Sequence, residues 1–371
     1  MKIICEKEKL MKALNSVTKA VATRTTNPIL EGILIQTNTN EVKFTTSDSE
    51  LSIEYIIEAN VQEEGSTVVN ATMFTEIIRK LPDTEITIYI NENNLLVIEC
   101  ESSVYKLSIM NPENYPEIPQ IDVENSITLE QNVLKDMIRK TIFCVSSEEN
   151  RPIITGCLFE VIDNKLNVVA VDGYRLAWRY KELSYKNNFN AVIPGRSLNE
   201  INKIILDSFD QIKIGISKNQ ALFEIENCKI VTTLLTGEFL KYENAIPNNL
   251  DTKIIVSKND LLERFERVSL ISSSTIEREK KHPVKVSIEP GKVVLSCQNQ
   301  TGDAKEDLLV QTEGKTLEIG FNPKYFIDAL KAIDDEEIQI CYGTSISPAI
   351  IKGVNTDEYL YMILPIRLKE N

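Results

Sequence analysis

The segment Phe74-Thr75-Glu76-Ile77 returns twice along the chain, as Leu198-Asn199-Glu200-Ile201 and as Phe326-Ile327-Asp328-Ala329. The second copy lies 124 residues after the first, and the third lies 128 residues after the second. Each copy begins with an apolar residue and carries an acidic residue in its third position. A short helical pattern that recurs at nearly one spacing indicates a unit repeated three times.

Two further patterns keep this spacing. Pairs of apolar residues four positions apart, which suit one face of a helix, occur with offsets of 124 and 127 at Leu10/Leu14, Leu134/Ile138 and Leu261/Phe265. Strand-like stretches that end in Asp or Asn occur with the same offsets at 44–48, 168–172 and 295–299. A repeat this long is a whole domain. We therefore predict three domains of like fold, at residues 1–121, 122–249 and 250–371.

The local patterns predict the same fold class for each third. Amphipathic helical periodicity occupies six windows, at 7–21, 70–82, 130–146, 195–207, 257–272 and 322–333. Between them, stretches such as Val42–Thr46 and Lys292–Ser296 alternate with the period of a strand. We expect each third to be an α+β domain: a helix, antiparallel strands, a second helix and more strands, with the helices on one face of the sheet.

Composition bounds the class of protein. The chain has 371 residues, of which 42% are hydrophobic and 26% charged, as in soluble globular proteins. We find no stretch of about 18 consecutive apolar residues, which a membrane span requires. The N-terminal segment Met1–Glu6 turns charged at once, unlike a signal peptide. We therefore expect a cytoplasmic protein that does not associate with a membrane.

The sequence offers little for catalysis, for cofactors or for metals. Its single histidine, His282, follows the charged run Arg278–Lys281 and lacks an orienting frame for a nucleophilic relay. The seven cysteines are scattered singly, which favours reduced core thiols over a zinc site or a disulfide framework. We find no phosphate-binding P-loop and no dinucleotide fingerprint. The expectation is a binding protein with no catalytic residue, no cofactor and no metal.

The net charge of −14 argues against a nucleic-acid partner only if the charge is evenly spread. It is not. The six helical windows carry 16 Lys and Arg against 10 Asp and Glu, whereas the rest of the chain carries 25 against 45. One interpretation is that helix surfaces favour basic residues in general. The other is that equivalent helices gather into one basic surface on an acidic body.

Two stretches carry specific motifs: Val169–Ala177, which contains Asp-Gly-Tyr-Arg-Leu-Ala, and Leu364–Leu368, which reads Leu-Pro-Ile-Arg-Leu. Further stretches of interest, in chain order, are Thr26–Ile33, Thr155–Glu160, Gly237–Phe239 and Ile319–Tyr325. Together these stretches resemble the bacterial DNA polymerase III beta subunit family, the sliding clamps. The resemblance covers essentially the whole chain.

The resemblance implies a DNA clamp fold in which two chains join head to tail into a ring. Helices would line the hole, and antiparallel sheets would lie outside. Such a homodimer is a non-catalytic processivity factor that encircles double-stranded DNA without sequence specificity. Its other implied partners are the replicative DNA polymerase alpha subunit, the clamp-loader delta subunit, repair polymerases and mismatch-repair proteins, which bind through short peptide motifs.

The resemblance also implies two sets of site residues. For contacts to DNA phosphates, the candidates are Arg24, Arg79, Lys80, Arg139, Arg151, Arg196 and Lys203. A hydrophobic pocket for peptides would comprise Ile154, Val171, Gly173, Tyr174, Arg175, Leu176, Leu240, Asn244, Ala245, Met362, Ile363, Leu364, Pro365, Ile366, Arg367 and Leu368.

The chain departs from the family pattern at Leu240, where proline is usual, and at Asn244, where arginine is frequent. It also extends beyond the usual terminal Arg-Leu by Lys369–Asn371. These changes bear on the rim of the pocket.

The rival hypothesis is a monomeric hydrolase or sugar-binding protein that uses paired carboxylates, because Asp and Glu are plentiful.

Overall fold

A computed structural model describes residues 1–118, 121, 123, 125–148, 150–184, 188–247, 249–273 and 282–368. The tail Lys369–Asn371, whose effect on the pocket was in question, lies outside the described residues, as does the run Arg278–Lys281. No helix within the described ranges is both long and apolar enough to cross a membrane.

The first repeat holds helices α1 (Lys7–Val17) and α2 (Ala71–Lys80). Its strands are β1 (Lys2–Glu6), β2 (Gly32–Asn38), β3 (Glu41–Ser47), β4 (Leu51–Glu58), β5 (Asn60–Glu63), β6 (Gly65–Asn70), β7 (Glu85–Ile90), β8 (Leu95–Cys100) and β9 (Ser103–Met110). Short 3-10 turns lie at Thr18–Ala20, Pro28–Glu31 and Pro112–Asn114.

The second repeat holds α3 (Gln131–Arg139) and α4 (Gly195–Ile204). Its strands are β10 (Asn125–Glu130), β11 (Gly156–Ile162), β12 (Lys165–Val171), β13 (Arg175–Glu182), β14 (Phe189–Pro194), β15 (Gln211–Ile216), β16 (Gln220–Ile225) and β17 (Cys228–Thr233). Its 3-10 turns are Ile142–Cys144, Pro152–Thr155 and Tyr242–Ala245.

The third repeat holds α5 (Lys258–Ser273) and α6 (Pro323–Ala332). Its strands are β18 (Thr252–Ser257), β19 (Val284–Glu289), β20 (Lys292–Asn299), β21 (Gly302–Leu309), β22 (Gln311–Glu313), β23 (Leu317–Phe321), β24 (Glu337–Tyr342), β25 (Ala349–Gly353) and β26 (Tyr359–Ile363).

The threefold repeat of an α+β fold is confirmed by the order of these elements. Helices α2, α4 and α6 begin at residues 71, 195 and 323, which reproduces the offsets of 124 and 128. The predicted order missed one element. A strand precedes the first helix of each repeat, and these strands, β1, β10 and β18, pair antiparallel with β7, β15 and β24. Each is too short to show a clear alternation before the helical pattern begins.

The chain divides into two compact units, and the second repeat contributes to both. One unit comprises residues 1–135 and 196–234. Among its described residues lies a sheet of 13 strands in the order β10-β15-β16-β17-β4-β3-β2-β6-β9-β8-β7-β1-β5. Its helix α1 buries Leu10, Ala13, Leu14 and Val17, the stripe that the sequence predicted.

The other unit comprises residues 136–195 and 235–371. Its described strands form a sheet in the order β14-β11-β12-β13-β26-β25-β24-β18-β22 and a smaller sheet in the order β21-β20-β19-β23. Phe265 of α5 and Phe326 of α6 stack with ring centroids 4.6 Å apart, which fixes these two helices against each other.

Helix starts follow local chemistry. The Asn70 side chain caps α2 by accepting a hydrogen bond from the Met73 amide at 2.9 Å. Ser257 caps α5 in the same way through the Asp260 amide at 3.3 Å. Asn322 caps α6, with Pro323 in the first turn. All three residues are of types that favour the N-terminal cap position of a helix.

Candidate functional site

Pairing of β13 with β26 brings two parts of the predicted pocket side by side. Leu176 lies opposite Met362, and Arg175 lies opposite Ile363. Beyond the last pair, the Leu364 N–H donates to the Tyr174 carbonyl at 2.9 Å. This ladder makes one continuous surface from residues almost 190 positions apart.

A buried apolar cluster forms the floor beneath this surface. Val171, Leu176 and Met362 are buried members of it, together with Tyr242. Ile154 and Ala245 pack against it as partly buried side chains. The structure thus brings together the predicted residues from the second repeat, the third repeat and the segment between them.

Exposed apolar side chains stand at the edge of this floor. Tyr174 is 58% exposed, Leu240 is 52% exposed, Leu364 is 36% exposed and Ile366 is 38% exposed. Large apolar side chains left in water at one place are typical of a surface that binds another apolar group. We call these four residues the apolar rim.

The rim residue Tyr174 is held by a tight turn. The Asp172 carboxylate accepts hydrogen bonds from the amides of Tyr174 at 2.9 Å and Arg175 at 3.0 Å. Gly173, which lies between Asp172 and Tyr174, has a φ of +88°, a backbone conformation that favours glycine. The Asp-Gly-Tyr-Arg motif is therefore a turn that lifts one tyrosine out of the sheet.

Arg175 supports the pocket from below. Its side chain is 8% exposed, and its guanidinium donates to Asp172 at 2.8 Å, to Asp328 at 2.6 Å and to the Phe143 carbonyl at 2.8 Å. The Cζ atom of the guanidinium lies 4.6 Å from the centroid of the Tyr325 ring, over its face. With these partners, Arg175 positions the surface around it. Ile363 is 1% exposed and also belongs to the core.

Sequence reasoning missed Tyr325 as a site residue. Its ring stacks on that of Tyr174, with centroids 6.4 Å apart and planes 22° apart. Phe239 and Ile246 were also missed, and both pack against the buried cluster. Tyr325 is the last residue of the stretch Ile319–Tyr325, which resembles the family, so the sequence did point to this segment. Nothing in the sequence, however, indicates that Tyr325 lies beside Tyr174 in the folded chain.

The C-terminal part of the predicted pocket follows the small sheet of its unit. The Ile366 amide donates to the Gly320 carbonyl at 2.8 Å. A Cβ atom on Gly320 would lie 2.7 Å from the Ile366 carbonyl and 2.8 Å from the Leu368 side chain, so glycine is required for this approach. Pro365 and Leu368 are half-buried, whereas Arg367 and Asn244 are exposed.

Five of the predicted DNA-contacting residues lie in the unit that contains the first repeat. Arg24 and Lys80 are exposed. Arg79 pairs with Glu76 one turn earlier in α2, and Lys203 pairs with Glu200 at 2.7 Å in α4. Arg196 pairs with Asp48 at 2.6 Å. The pairs of Arg79 and Lys203 are largely exposed and worth little energy, so these two cations can exchange partners.

Arg139 and Arg151 lie in the other unit. Arg151 is exposed. Arg139 donates to Asp136 at 3.0 Å and to Asp334 at 2.7 Å, and Lys140 contacts both carboxylates at 2.8 Å. Arg139 therefore belongs to an ion network between α3 and the turn after α6.

Two cavities lie near the basic residues of the first unit. One, of about 650 Å³, is lined by Lys203 and by Lys12, Asn15 and Ser16 of α1. Lys12 was not among the predicted residues, although it lies on the polar side of the α1 stripe. Burial raises the pKa of Tyr55 at this cavity, and the Lys12 ammonium opposes the shift. The second cavity, of about 460 Å³, joins Arg79 to Thr23, the neighbour of Arg24.

Three of the thiols are unsuited to nucleophilic chemistry at neutral pH. Burial raises the pKa of Cys157 and of Cys228 to about 12 and that of Cys5 to about 11, so each stays a neutral thiol at neutral pH. Among the described residues, no group of His, Cys, Asp and Glu is arranged to hold a metal ion. The carbonyl of His282 accepts a hydrogen bond from the Ser272 hydroxyl.

Family models match the chain in three consecutive segments. Residues 1–119 match the N-terminal domain of the DNA polymerase III beta subunit, residues 128–241 its central domain, and residues 243–367 its C-terminal domain. The chain belongs to the DNA polymerase III beta subunit family. The expected resemblance is confirmed.

Individual relatives agree with the family models. A beta sliding clamp from Halalkalibacterium halodurans is 36% identical over 383 residues, which cover 99% of this chain and all of the relative. One from Staphylococcus epidermidis is also 36% identical, and 99% of each chain is covered. The crystal structure of the Bacillus subtilis sliding clamp superposes with a TM-score of 0.95, at 34% identity over the full length of both chains.

Membership settles the class of function. This beta subunit family consists of sliding clamps, which serve as DNA polymerase processivity factors and are not catalytic. The chain is accordingly a processivity factor and not an enzyme, so the rival hypothesis of a carboxylate hydrolase is excluded. Membership in the family implies, in general terms, that the chain forms a dimer and that its partners are DNA, polymerases and other clamp-binding proteins.

Proposed function

We propose that two copies of this chain join head to tail into a ring around double-stranded DNA in the cytoplasm. Each copy would contribute three modules, residues 1–121, 122–249 and 250–371. The ring would tether the replicative polymerase alpha subunit, the clamp-loader delta subunit, repair polymerases and mismatch-repair proteins.

The observation that carries this proposal is how consecutive repeats join. Strand β4 of the first repeat pairs antiparallel with β17 of the second, with Leu51 opposite Thr232. Strand β13 of the second repeat pairs antiparallel with β26 of the third, with Arg175 opposite Ile363. Equivalent strands therefore make both joints.

The same edge of the third repeat has no neighbouring strand in the part of the chain that the structure describes. Within the described residues, β21, the equivalent of β4 and β13, pairs only with β20. In the first repeat, β9 is the equivalent of β17 and β26. Its residues 103–108 pair with β8 on one side only, since β6 meets β9 only at Ile109 and Met110. Unpaired strand edges are templates for another chain.

The repeat also gives the register of this joint. Hairpin closure makes Gly302 the equivalent of Leu51 and Ser103 the equivalent of Cys228. Applying the register of the first joint sets Leu107 opposite Gly302 and Lys106 opposite Asp303 of the second copy. Each copy has one such edge of each kind, and head-to-tail contacts of this sort form a ring where their rotation closes, which we propose to happen after two copies.

The proposed DNA contacts are electrostatic and sequence-independent. Arg24, Arg79, Lys80, Arg139, Arg151, Arg196 and Lys203, with Lys12 added from the cavity in the first unit, would face phosphates. Contacts of this kind position a protein without reading bases, and they permit sliding.

The proposed peptide site is the apolar rim with its buried floor. A short peptide would insert Leu or Phe side chains beside Tyr174, Leu240 and Leu364. Few polar groups line this surface, so apolar anchors would supply most of the binding energy. Leu240 adds an aliphatic side chain at the rim, which favours an apolar residue at the matching position of the peptide.

The test is retention on DNA. After loading by the cognate clamp loader, the protein should remain on nicked circular duplex and leave linear duplex through its ends. The circle linearised after loading is the matched control, because sequence, length and protein are unchanged. Equal retention on both forms would contradict enclosure of the DNA.

A further inference from the structure

One hydrogen-bonded turn occurs at the same place in all three repeats. It connects β3 to β4, β12 to β13 and β20 to β21, and the second strand of each pair is the one that lies at a joint between repeats or, for β21, at the open edge. Asp48 accepts hydrogen bonds from the amides of Glu50 at 3.0 Å and Leu51 at 2.8 Å. Asp172 accepts from the amides two and three residues on at 2.9 and 3.0 Å. Asn299 does the same with Thr301 at 2.8 Å and Gly302 at 3.2 Å.

At the first joint, the turn also binds the next repeat through charge. The second carboxylate oxygen of Asp48 contacts the Arg196 guanidinium at 2.6 Å. Arg196 is the second residue of α4. Glu50, two residues after Asp48, lies 3.8 Å from the same guanidinium. The Asp48 side chain is 5% exposed, which strengthens the pairing.

The second joint also has an ion pair between the turn and the next helix, but here the guanidinium belongs to the turn and the carboxylate to the helix. The second carboxylate oxygen of Asp172 contacts Arg175 at 2.8 Å, and Arg175 reaches Asp328 of α6 at 2.6 Å. Helices α4 and α6 are equivalent, so in both cases a carboxylate in the turn leads through a guanidinium to the second helix of the next repeat.

The third turn has no such charge. Asn299, an uncharged amide, occupies the position that Asp48 and Asp172 hold in the other two turns. Its Nδ2 donates to the Ile271 carbonyl at 2.5 Å. The position of Glu50 is Thr301, and that of Arg175 is Gly302. On the opposite side, α2 is the equivalent of α4 and α6. It carries Thr72 where α4 carries Arg196, and Thr72 is exposed.

We infer that the turn Asn299–Gly302 meets the first turn of α2 in a second copy, at Thr72, and that this joint lacks the ion pair that fastens the two joints within the chain. The inference rests on the proposed head-to-tail dimer. The joint between copies is then held by its strand edges, with Lys106 opposite Asp303, and by neutral contacts between the turn and α2. Two uncharged positions, one on each side, leave the turn of this joint without the charge support that the other two turns have.

The test transplants the missing pair. Asn299→Asp restores the carboxylate found in the other turns and keeps the two bonds that Oδ1 accepts, because aspartate makes the same bonds at 48 and 172. It loses the bond from Nδ2 to the Ile271 carbonyl, but the single and double variants share this loss, so it cancels in the coupling. Thr72→Arg restores the guanidinium found at 196. The dissociation constant of the dimer is measured by sedimentation for wild type, both single variants and the double variant. The double variant should bind about tenfold tighter than the product of the single effects predicts.

Controls separate this inference from the proposed dimer. Asn299→Asp with Thr72→Glu sets two carboxylates together and should weaken the dimer relative to either single variant. The gain of the Asp–Arg pair should shrink in high salt. A dimeric wild type whose double variant shows no coupling would overturn the inference and leave the dimer standing. A wild type that stays monomeric at micromolar concentration would overturn both.

Discussion

The Arg175 guanidinium lies 4.6 Å from the ring centroid of Tyr325, and Tyr325 in turn stacks on the exposed Tyr174. The buried cation is thus connected to the rim of the proposed peptide site through two rings. It also holds the carboxylates of Asp172 and Asp328, so it couples the motif of the second repeat to a helix of the third.

Replacing Arg175 with methionine should lower the free energy of unfolding by about 3–5 kcal/mol, because it leaves two partly buried carboxylates without their cation. Urea unfolding followed by circular dichroism measures the change. Arg151→Met is the matched control, since Arg151 is exposed, and it should change stability by under about 0.5 kcal/mol. Equal effects of the two substitutions would contradict the positioning role of Arg175.

Truncation of Met362 and Leu364 to alanine should weaken the binding of a clamp-binding peptide at least about tenfold, since both side chains belong to the apolar surface. Fluorescence anisotropy with a labelled peptide gives the Kd. The dimer should be unaffected. Ile162→Ala removes an aliphatic side chain that is 43% exposed on β11, and it should leave the peptide Kd unchanged. Unchanged affinity in the Met362 and Leu364 variants would remove the rim from the proposed site.

Reversing Arg24 and Arg79 to glutamate should shorten residence on DNA and flatten the dependence of binding on salt. Each lost phosphate contact should reduce the logarithmic salt slope by about one. The comparison variant is Lys213→Glu on β15, which changes a half-exposed cation outside the predicted set. If the reversed arginines keep the wild-type slope, they are ordinary surface charges.

The pairing of β9 with β21 across copies predicts a charge swap. Lys106→Asp and Asp303→Lys should each weaken the dimer, because each sets like charges opposite one another across the strands. The combined swap should recover most of the wild-type affinity. Sedimentation equilibrium measures all four proteins. If the combined swap is as weak as the sum of its parts, the proposed register is wrong even where the dimer exists.

Glu160 predicts a pH dependence of stability. Burial raises the pKa of Glu160, and the hydrogen bond from the Tyr242 hydroxyl, at 3.0 Å, only partly offsets the shift. A raised carboxyl pKa means that the folded state binds the proton more tightly. The unfavourable effect of this group on stability therefore develops as pH rises from its ordinary pKa, about 4.3, through the folded value.

Glu160→Gln removes this ionisation and keeps an oxygen for Tyr242. The variant should be more stable than wild type at pH 7, and its advantage should fade by pH 4. Thermal unfolding at both pH values checks this. Glu182→Gln, at an exposed position on β13, should show no such trend. An advantage of equal size at both pH values would assign the effect to packing.

The sequence predicted the fold through spacing. The offsets of 124 and 128 in the 74–77 pattern became the starts of α2, α4 and α6, since these helices bury the apolar positions that repeat. The short strands β1, β10 and β18 escaped detection. Their assignment depends on pairing with strands about 80 residues later, a long-range contact that no local pattern encodes.

For the site, residue identity could be predicted better than role. Arg175 was expected in the pocket wall, yet its guanidinium is engaged by Asp172, Asp328 and two rings. Arg196 was expected to contact DNA, and in the structure it pairs with Asp48. Which direction a long side chain takes depends on partners that only the folded chain brings close. The predicted contacts to DNA and peptide remain predictions.

Because the sheets cross from one repeat to the next, a single repeat is not a self-sufficient fragment. Cutting the chain near residue 121 would strip β17 from β4 and leave the bonding groups of Leu51–Tyr55 open. Such a truncated fragment should associate through this open strand edge and aggregate in solution. The two compact units interleave along the sequence, so neither of them can be excised as one continuous fragment either, and laboratory work on this protein should keep the chain whole.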